Sequence, residues 1–263
     1  METGRYRMKQ NLYDQLDFYQ DYQKLRLSGQ SENDMIEQPA FRGCLPSLKG
    51  LRVLDLGCGG GQFARYCVEQ GASEVIGVDL SHNMLEYART NNSHENIQYL
   101  HGSLEDIELA SHDYDLITSS LVMDYVRDYE HVINKISRAL RNGGHFVYST
   151  LHPHITARKK VEGWVRDEEG QKHFWPLDNY LEDGEREMYM MNGRKALFYH
   201  RSMSTAVNTL IQAGLTLQEI IEPTCTPEGL LLQPHQISEV RRPTFIIFKT
   251  QKIAEMDDEK PGE

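Results

Sequence analysis

Residues 53–61, Val53-Leu54-Asp55-Leu56-Gly57-Cys58-Gly59-Gly60-Gly61, run from an apolar stretch through a carboxylate into a Gly-x-Gly-x-Gly loop. Glycines in such a turn let the backbone approach a ligand closely. Asp79 ends the next apolar run and offers a second carboxylate at the carboxyl end of a strand, where open α/β sheets bind ligands. A phosphate matches poorly, because Asp55 beside the loop repels a polyanion and attracts a cation such as an ammonium or sulfonium. The third glycine comes one residue early for a dinucleotide fingerprint, with Gln62 in its place, and no Gly-Lys-Ser/Thr follows, so a P-loop is excluded. Taken alone, the glycines also suit an ordinary tight turn.

His152 follows a later apolar run, in Leu151-His152-Pro153-His154, where it would overlook a ligand bound on that face. An imidazole there can take a proton near neutral pH, or it can serve as a turn histidine. His154 lies two residues on, but two histidines without a third ligand make no metal site, and none is expected. The cysteines, Cys44, Cys58, Cys67 and Cys225, form no Cys-x-x-Cys pair and read as reduced thiols.

Apolar runs at 51–56, 74–80, 96–100, 114–121 and 145–151 predict strands, with helical patterns over 62–70, 82–90 and 129–141 between them. Ser81 is a natural N-cap, and Gly71 and Gly143-Gly144 are stops. Strands alternating with helices mean parallel βαβ units with right-handed crossovers. Residues 11–27 carry Leu12, Tyr13, Leu16, Tyr19, Tyr22 and Leu25 at helical spacing, which predicts a core-facing or lid helix. Residues 152–201 break the alternation. They leave the ligand end of the fifth strand and read as an insertion on that face. A helix at about 203–213 and strands at 215–221 and 244–250 complete the pattern.

The series of motifs resembles the class I S-adenosylmethionine-dependent methyltransferases, over residues 11–250. Asp55-Leu56-Gly57-Cys58-Gly59-Gly60-Gly61 is similar to their first motif, and Val78-Asp79-Leu80-Ser81 with Met84-Leu85 to the second, whose acidic residue holds the ribose hydroxyls. Gly102-Ser103-Leu104-Glu105-Asp106-Ile107 resembles the adenine-contacting segment. Tyr114 to Leu121 resembles the fourth strand, and Leu140-Arg141-Asn142-Gly143-Gly144-His145-Phe146 the turn before the fifth. The best match is to the small-molecule branch akin to ubiquinone and menaquinone biosynthesis enzymes.

The resemblance implies an α/β fold with a Rossmann-like seven-stranded sheet, the last strand antiparallel, and helices on both faces. It implies S-adenosylmethionine as cofactor, S-adenosylhomocysteine as product, and cofactor contacts at Asp55, Gly57, Cys58, Gly59, Asp79, Leu80, Met84, Ser103, Leu104, Glu105 and Ser120. Ser103 stands where many relatives carry an acidic residue facing the adenine amino group, so the adenine is held through Glu105 or backbone groups. Asp124 stands where many relatives carry a histidine near the substrate; with His152 it is the catalytic candidate. His200-Arg201 resembles a His-Arg pair of related enzymes, in which Arg201 either binds an acidic substrate or caps the insertion. Tyr13, Tyr19, Tyr22, Tyr125, Trp175 and Tyr180 complete the substrate-side candidates. For the tyrosines of the amino-terminal helix and for Trp175, simple packing is the competing role.

The organisation expected is a helical lid over 1–50, a cofactor-binding core over 51–151, the insertion over 152–201, core completion over 202–252 and a disordered acidic tail over 253–263. The chain has 263 residues, 39% hydrophobic and 25% charged, enough for one sizeable core. Its net charge of −11, without a clustered basic stretch, disfavours nucleic acid as a partner. No apolar run approaches the ~18 residues needed to span a bilayer, and no signal-peptide core opens the chain. A cytoplasmic protein, monomer or homodimer, with a small-molecule substrate is expected. The rival functions are an RNA-modifying methyltransferase and a cofactor-binding protein without catalysis.

Overall fold

The computed structural model describes residues 11–160 and 163–253. A seven-stranded sheet dominates: β1 (Arg52–Leu56), β2 (Glu74–Asp79), β3 (Ile97–His101), β4 (Tyr114–Ser120) and β5 (Leu140–Leu151), then, past an insertion, β10 (Leu215–Ile221) and β11 (Phe245–Lys252). The spatial order is β10-β11-β5-β4-β1-β2-β3. β1 pairs in parallel with both β2 and β4, so the strand order reverses at β1, and its carboxyl end opens on a crevice. β11 runs antiparallel to β5 and to β10. This is the Rossmann-like sheet expected from the motifs.

Alternation along each strand feeds two cores. Leu54, Ile117, Phe146 and Phe248 point to one face and meet α5 (Tyr129–Ala139) and α7 (Met203–Gln212). Val53, Leu116, Val147 and Ile247 point to the other face, where α2 (Gln38–Gly43), α3 (Gln62–Glu69) and α4 (His82–Asn91) lie. Ser81 caps α4, its hydroxyl accepting from the Met84 N–H at 3.2 Å. The four cysteines are buried and free. No described helix is long and apolar enough to cross a membrane.

Three elements differ from the sequence reading. The fifth strand begins at Leu140 rather than 145, and α5 ends at Ala139. A side chain at Gly144 would press on the carbonyl oxygens of Arg141, Tyr114 and Asp115, and it is this close backbone approach that lets the strand start early. Residues 11–27 form a single 3-10 turn, Leu12–Asp14, and then α1 (Leu16–Leu27), with Gln15 extended between them. The break lets the Asp14 carboxylate accept from Ser81 Oγ at 2.6 Å and the Asn83 N–H at 3.1 Å, at the start of α4.

The insertion is also regular where no period was evident. It holds a short helix α6 (Pro153–Thr156), a small hairpin β6–β7 (Val165–Arg166 and Lys172–Phe174) and a longer one, β8–β9 (Gly184–Tyr189 and Lys195–His200). Asn192 and Gly193 turn the longer hairpin with left-handed φ of 58° and 68°, inside a loop closed by the Met190 N–H donating to the Arg194 carbonyl at 2.7 Å. The hairpin tip reaches the amino-terminal segment: Asn192 Nδ2 donates to Asp21 Oδ2 at 2.5 Å, and Arg194 meets Asp17 and Gln15. Together these segments roof the crevice. After β10 come α8 (Pro227–Leu232) and a 3-10 stretch, Pro234–Val240. The acidic tail expected over 253–263 falls on 254–263, outside the described residues.

Candidate functional site

The glycine loop leaves β1 with Gly57, Gly59 and Gly61 at φ of 78°, 53° and 79°. The N–H groups of Gly57 and Cys58 donate to the Val78 carbonyl at 2.7 and 3.0 Å, which pins the loop to β2. A Cβ at Gly57 would collide with Val122, and one at Gly61 with the Tyr99 ring and hydroxyl. A Cβ at Gly59 would meet only the Met84 methyl at 3.4 Å, so there the left-handed φ is the stronger demand for glycine.

Asp79 closes the loop from the neighbouring strand. Its Oδ2 accepts from the Gly59 N–H and its Oδ1 from the Ser81 N–H, both at 2.8 Å. Burial raises its pKa from the ordinary carboxylate range, while these N–H groups pull it down. Asp55, 3% exposed, accepts from Thr118 Oγ1 at 3.0 Å. Burial pushes its carboxyl up to about 7, and the charges of Asp79 and Glu37 add to the rise. A buried and a half-buried acid therefore face one space, with no cation bonded to either among the described residues, an arrangement that favours a positively charged ligand.

Asp55, Gly57, Cys58, Gly59, Asp79, Leu80 and Met84 line a single cavity of about 1670 Å³, and so do Ser103, Leu104, Glu105 and Ser120. All the cofactor-contact candidates thus come together. Ser103 Oγ accepts from the Glu105 N–H at 3.2 Å, and Glu105 Oε1 accepts from the Arg127 and Asp128 N–H groups at 3.0 and 3.1 Å. Glu105 therefore braces the loop after β3 against the turn after β4. Leu121, beside Ser120, holds a left-handed φ of 56°, strain of a kind that gathers at functional sites.

The turn Met123–Tyr125 places Asp124 on the same cavity, 6% exposed. Its Oδ2 accepts from the Leu151 N–H at 2.9 Å. Burial lifts its pKa to about 6, against the opposing pull of Thr150, the Leu151 N–H and Arg201. Tyr13, Tyr22 and Tyr125 also line the cavity. Tyr13 lies edge-on to Tyr22 at 4.9 Å, is hydrogen-bonded to Tyr125, and Tyr125 donates to Met190 Sδ at 3.5 Å. Burial raises the pKa of all three phenols, so they are neutral at pH 7.

Six candidates stand apart from the cavity. His152 caps α6: Nδ1 accepts from the His154 N–H at 3.3 Å and Nε2 meets Glu222 Oε1 at 2.9 Å. Burial lowers its pKa to about 4, so the ring is neutral and both nitrogens are engaged. It was expected as a base over the cofactor, but it is not among the residues that line the cavity. His200, 1% exposed, bridges Thr156 Oγ1 at 2.8 Å and the Tyr180 carbonyl at 2.9 Å. Tyr180 accepts from the Met203 N–H through its hydroxyl at 3.2 Å. Arg201 donates to the carbonyls of Met123 and Tyr199, each at 3.2 Å, and to those of Val126 and Arg127. It braces the turn after β4 and is not among the residues that line the cavity. Trp175 donates to the His154 carbonyl at 3.2 Å and stacks with the guanidinium groups of Arg158 and Arg242. Tyr19 faces Tyr87 and Glu86 on α4.

The cavity also has walls that the motifs did not mark. Gln38 and Gln62 border the loop side, while Leu12, Ile155, Met188, Met190 and Phe198 border the far side. Behind Gln38 sits Glu37, fully buried, accepting from Ser120 Oγ at 2.9 Å and Ser149 Oγ at 2.5 Å. A signal for the hairpin was present: Arg186 and Met188, then Ala196, Phe198 and His200, alternate inward around Asn192-Gly193. Glu37 carried none, since one acid in a short polar segment has no period.

The geometry agrees with comparisons to known proteins. A family model described as a methyltransferase domain matches residues 54–148. An S-adenosylmethionine-dependent methyltransferase structure from Mesorhizobium loti superposes with a TM-score of 0.77 at 37% identity, covering 82% of this chain and 97% of that one. The chain belongs to the class I S-adenosylmethionine-dependent methyltransferases. An uncharacterized protein of Haemophilus influenzae is 34% identical to this methyltransferase over 257 residues, 93% of this chain and 98% of that one. A ubiquinone biosynthesis O-methyltransferase of Alkalilimnicola ehrlichii is 34% identical over 112 residues, 41% of this chain and 45% of its own. S-adenosylmethionine is the cofactor of this methyltransferase. The residues present suit it: a glycine cradle whose Gly57 has no room for a Cβ, with the buried Asp55 and the half-buried Asp79 on its walls.

Proposed function

We propose that the methyltransferase acts on a small molecule, at an oxygen, nitrogen or carbon atom. The observation that carries this reading is the roofed cavity. Its volume, about 1670 Å³, exceeds the ~300–1,000 Å³ of a pocket for one ligand. It extends past the glycine loop into a compartment walled by Tyr125, Ile155, Met188 and Phe198. A compartment closed by α1 and the β8–β9 hairpin suits a small acceptor better than a polymer. The net charge of −11 points the same way, and so does the name of the ubiquinone biosynthesis relative.

The roles follow from the groups in place. Asp79 accepts hydroxyl donors from the cofactor's ribose, and the glycine loop lets its backbone lie against the ligand. Asp55 contributes negative potential, and Tyr13, Tyr22 and Tyr125 present aromatic faces of the kind that hold cations. When bound, S-adenosylmethionine supplies a methyl group on a sulfonium; the carbon–sulfur bond breaks with its electron pair going to sulfur as the acceptor's pair forms the new bond. The protein aligns the acceptor for this displacement. Asp124, ionised above about pH 6, takes the proton from an acceptor that starts protonated. The roof of α1 and the hairpin keeps water from competing.

A turnover assay across a panel of metabolites, detecting S-adenosylhomocysteine, tests the reading. Acceptor-dependent product with at least one small molecule is expected. Activity on RNA alone, with steep salt dependence, would replace it.

A further inference from the structure

The far compartment of the cavity has an unusual chemical balance. Leu12, Ile155, Met188 and Phe198 on its walls are at least nine-tenths buried. Tyr13, Tyr125 and Met190 pack against that same cluster. Its aromatic rings stand close: Tyr125 and Phe198 at 4.8 Å, Tyr13 and Tyr22 at 4.9 Å. The buried acids bordering this space are Asp124 and, toward the loop, Asp55, with the half-buried Asp79 beside it.

The cations of the cavity wall are exposed or committed elsewhere: Arg42 and Arg127 line it and are both exposed. Arg201 is spent on backbone carbonyls and does not line the cavity. Lys195, on the hairpin, is exposed and paired with Glu187 at 3.0 Å. Arg26, at the opposite mouth, pairs with Asp34 at 3.0 Å. Among the described residues, then, the compartment presents no buried cation to an acidic acceptor. A carboxylate or phosphate entering it would be desolvated without a counter-charge and would sit near like charges.

We propose that the acceptor is a neutral, largely apolar molecule built on a flat ring, and that the compartment rejects acidic analogues of it. The inference rests on the small-molecule reading above and names its substrate class. Rings fit between faces that are themselves aromatic, edge to face or offset. Thioether sulfurs at Met188 and Met190 favour contact with ring edges and adapt to substituents. Rejection of an acidic analogue follows from what the site lacks, since an unpaired buried charge discriminates strongly.

Calorimetry on the complex with S-adenosylhomocysteine tests this with a matched set: a naphthol, the same naphthol carrying a ring carboxylate, and the methyl ester of that acid. The naphthol and the ester are expected to bind at least ten-fold more tightly than the acid. Met190→Lys, at a half-buried position just past the end of β8, should cut that preference at least ten-fold by supplying the missing cation. Equal binding of acid and ester by the wild type overturns the proposal. So does an unchanged preference in a folded Met190→Lys protein, or failure of all three probes while the cofactor product binds. Should Met190→Lys not fold, the wild-type ratio decides alone. Failure of S-adenosylhomocysteine itself to bind would instead overturn the reading of the cavity as a methyl-transfer site, and the substrate class with it.

Discussion

Glu37 and Ser149 share a hydrogen bond of 2.5 Å across 112 residues of chain. The carboxylate belongs to the segment before the first strand, and the hydroxyl to the buried end of β5. Glu37 also accepts from Ser120 on β4 and from Gln38 Nε2 at 2.8 Å. One buried acid thus joins the amino-terminal segment to both strands that flank the cavity floor. Glu37→Ala leaves two buried hydroxyls without this acceptor. A loss of roughly 1.5–3 kcal/mol of unfolding free energy is expected, the scale of a charged hydrogen bond. Urea melts check it; a loss within ±0.5 kcal/mol, the scale of an ordinary surface change, would mean that the contact is dispensable.

Asp79 both latches the glycine loop and lines the cavity. Asp79→Ala should weaken S-adenosylhomocysteine binding by about 1.5–3 kcal/mol, or about 10–150-fold in Kd. Titration calorimetry on both proteins measures it. Equal affinity would remove Asp79 from the site.

Asp124 sets a pH limb. Its carboxyl is raised to about 6 by burial, so kcat/KM for a protonated acceptor should climb as pH rises through about 6 and then level. Asp124→Asn should remove the limb and lower turnover by ~10²–10⁴-fold, the usual range for a lost general base. The same shift has a stability consequence of defined sign. The folded state holds this proton more tightly than the unfolded state, so the contribution is full below the ordinary value of 3.8 and is lost as pH rises through about 6. Melting Asp124→Asn beside wild type between pH 4 and 7 should show a flatter curve for the variant.

His152 should behave as a structural residue. It caps α6 and is neutral at pH 7 with both nitrogens bonded. His152→Ala is expected to cost roughly 0.5–2 kcal/mol, as a lost cap does, with turnover per folded molecule retained. Its pKa is lowered from 6.5 to about 4 by burial, so its contribution is full above 6.5 and lost as pH falls through about 4. A ten-fold drop in turnover at unchanged melting temperature would restore it as a base.

Arg201 should likewise affect the frame and not the choice of substrate. Its guanidinium spans the carbonyls of Met123, Val126, Arg127 and Tyr199 and lies over the Tyr129 ring at 4.7 Å. A lysine cannot reproduce that planar fork. Arg201→Lys is expected to lower the melting temperature while leaving the relative binding of neutral and acidic acceptor analogues unchanged. Calorimetry with the matched naphthol set reads this directly, and a selective loss of acidic binding would return Arg201 to the substrate side.

The sheet and the residues that gather around the glycine loop were legible in the sequence because both are local. Apolar runs of strand length, amphipathic helices between them, and the spacing from Asp55 through Gly57 to Asp79 are patterns of neighbours along the chain. Backbone sterics and strand pleat turn those neighbours into one crevice wherever the strand order reverses. Long-range choices were not legible. Proximity to the end of β5 made His152 look like a base, yet in the fold its nitrogens meet Glu222 and the His154 N–H, off the cavity wall. Arg201 could have met a substrate or the backbone, and the turn after β4 decided for the backbone. Glu37 gave no local pattern, because its partners Ser120 and Ser149 lie 83 and 112 residues away. The sequence by itself determined the sheet and the cofactor loop. Tertiary structure decided which polar groups line the cavity, since a buried polar side chain turns toward whichever partner the fold brings within hydrogen-bond reach.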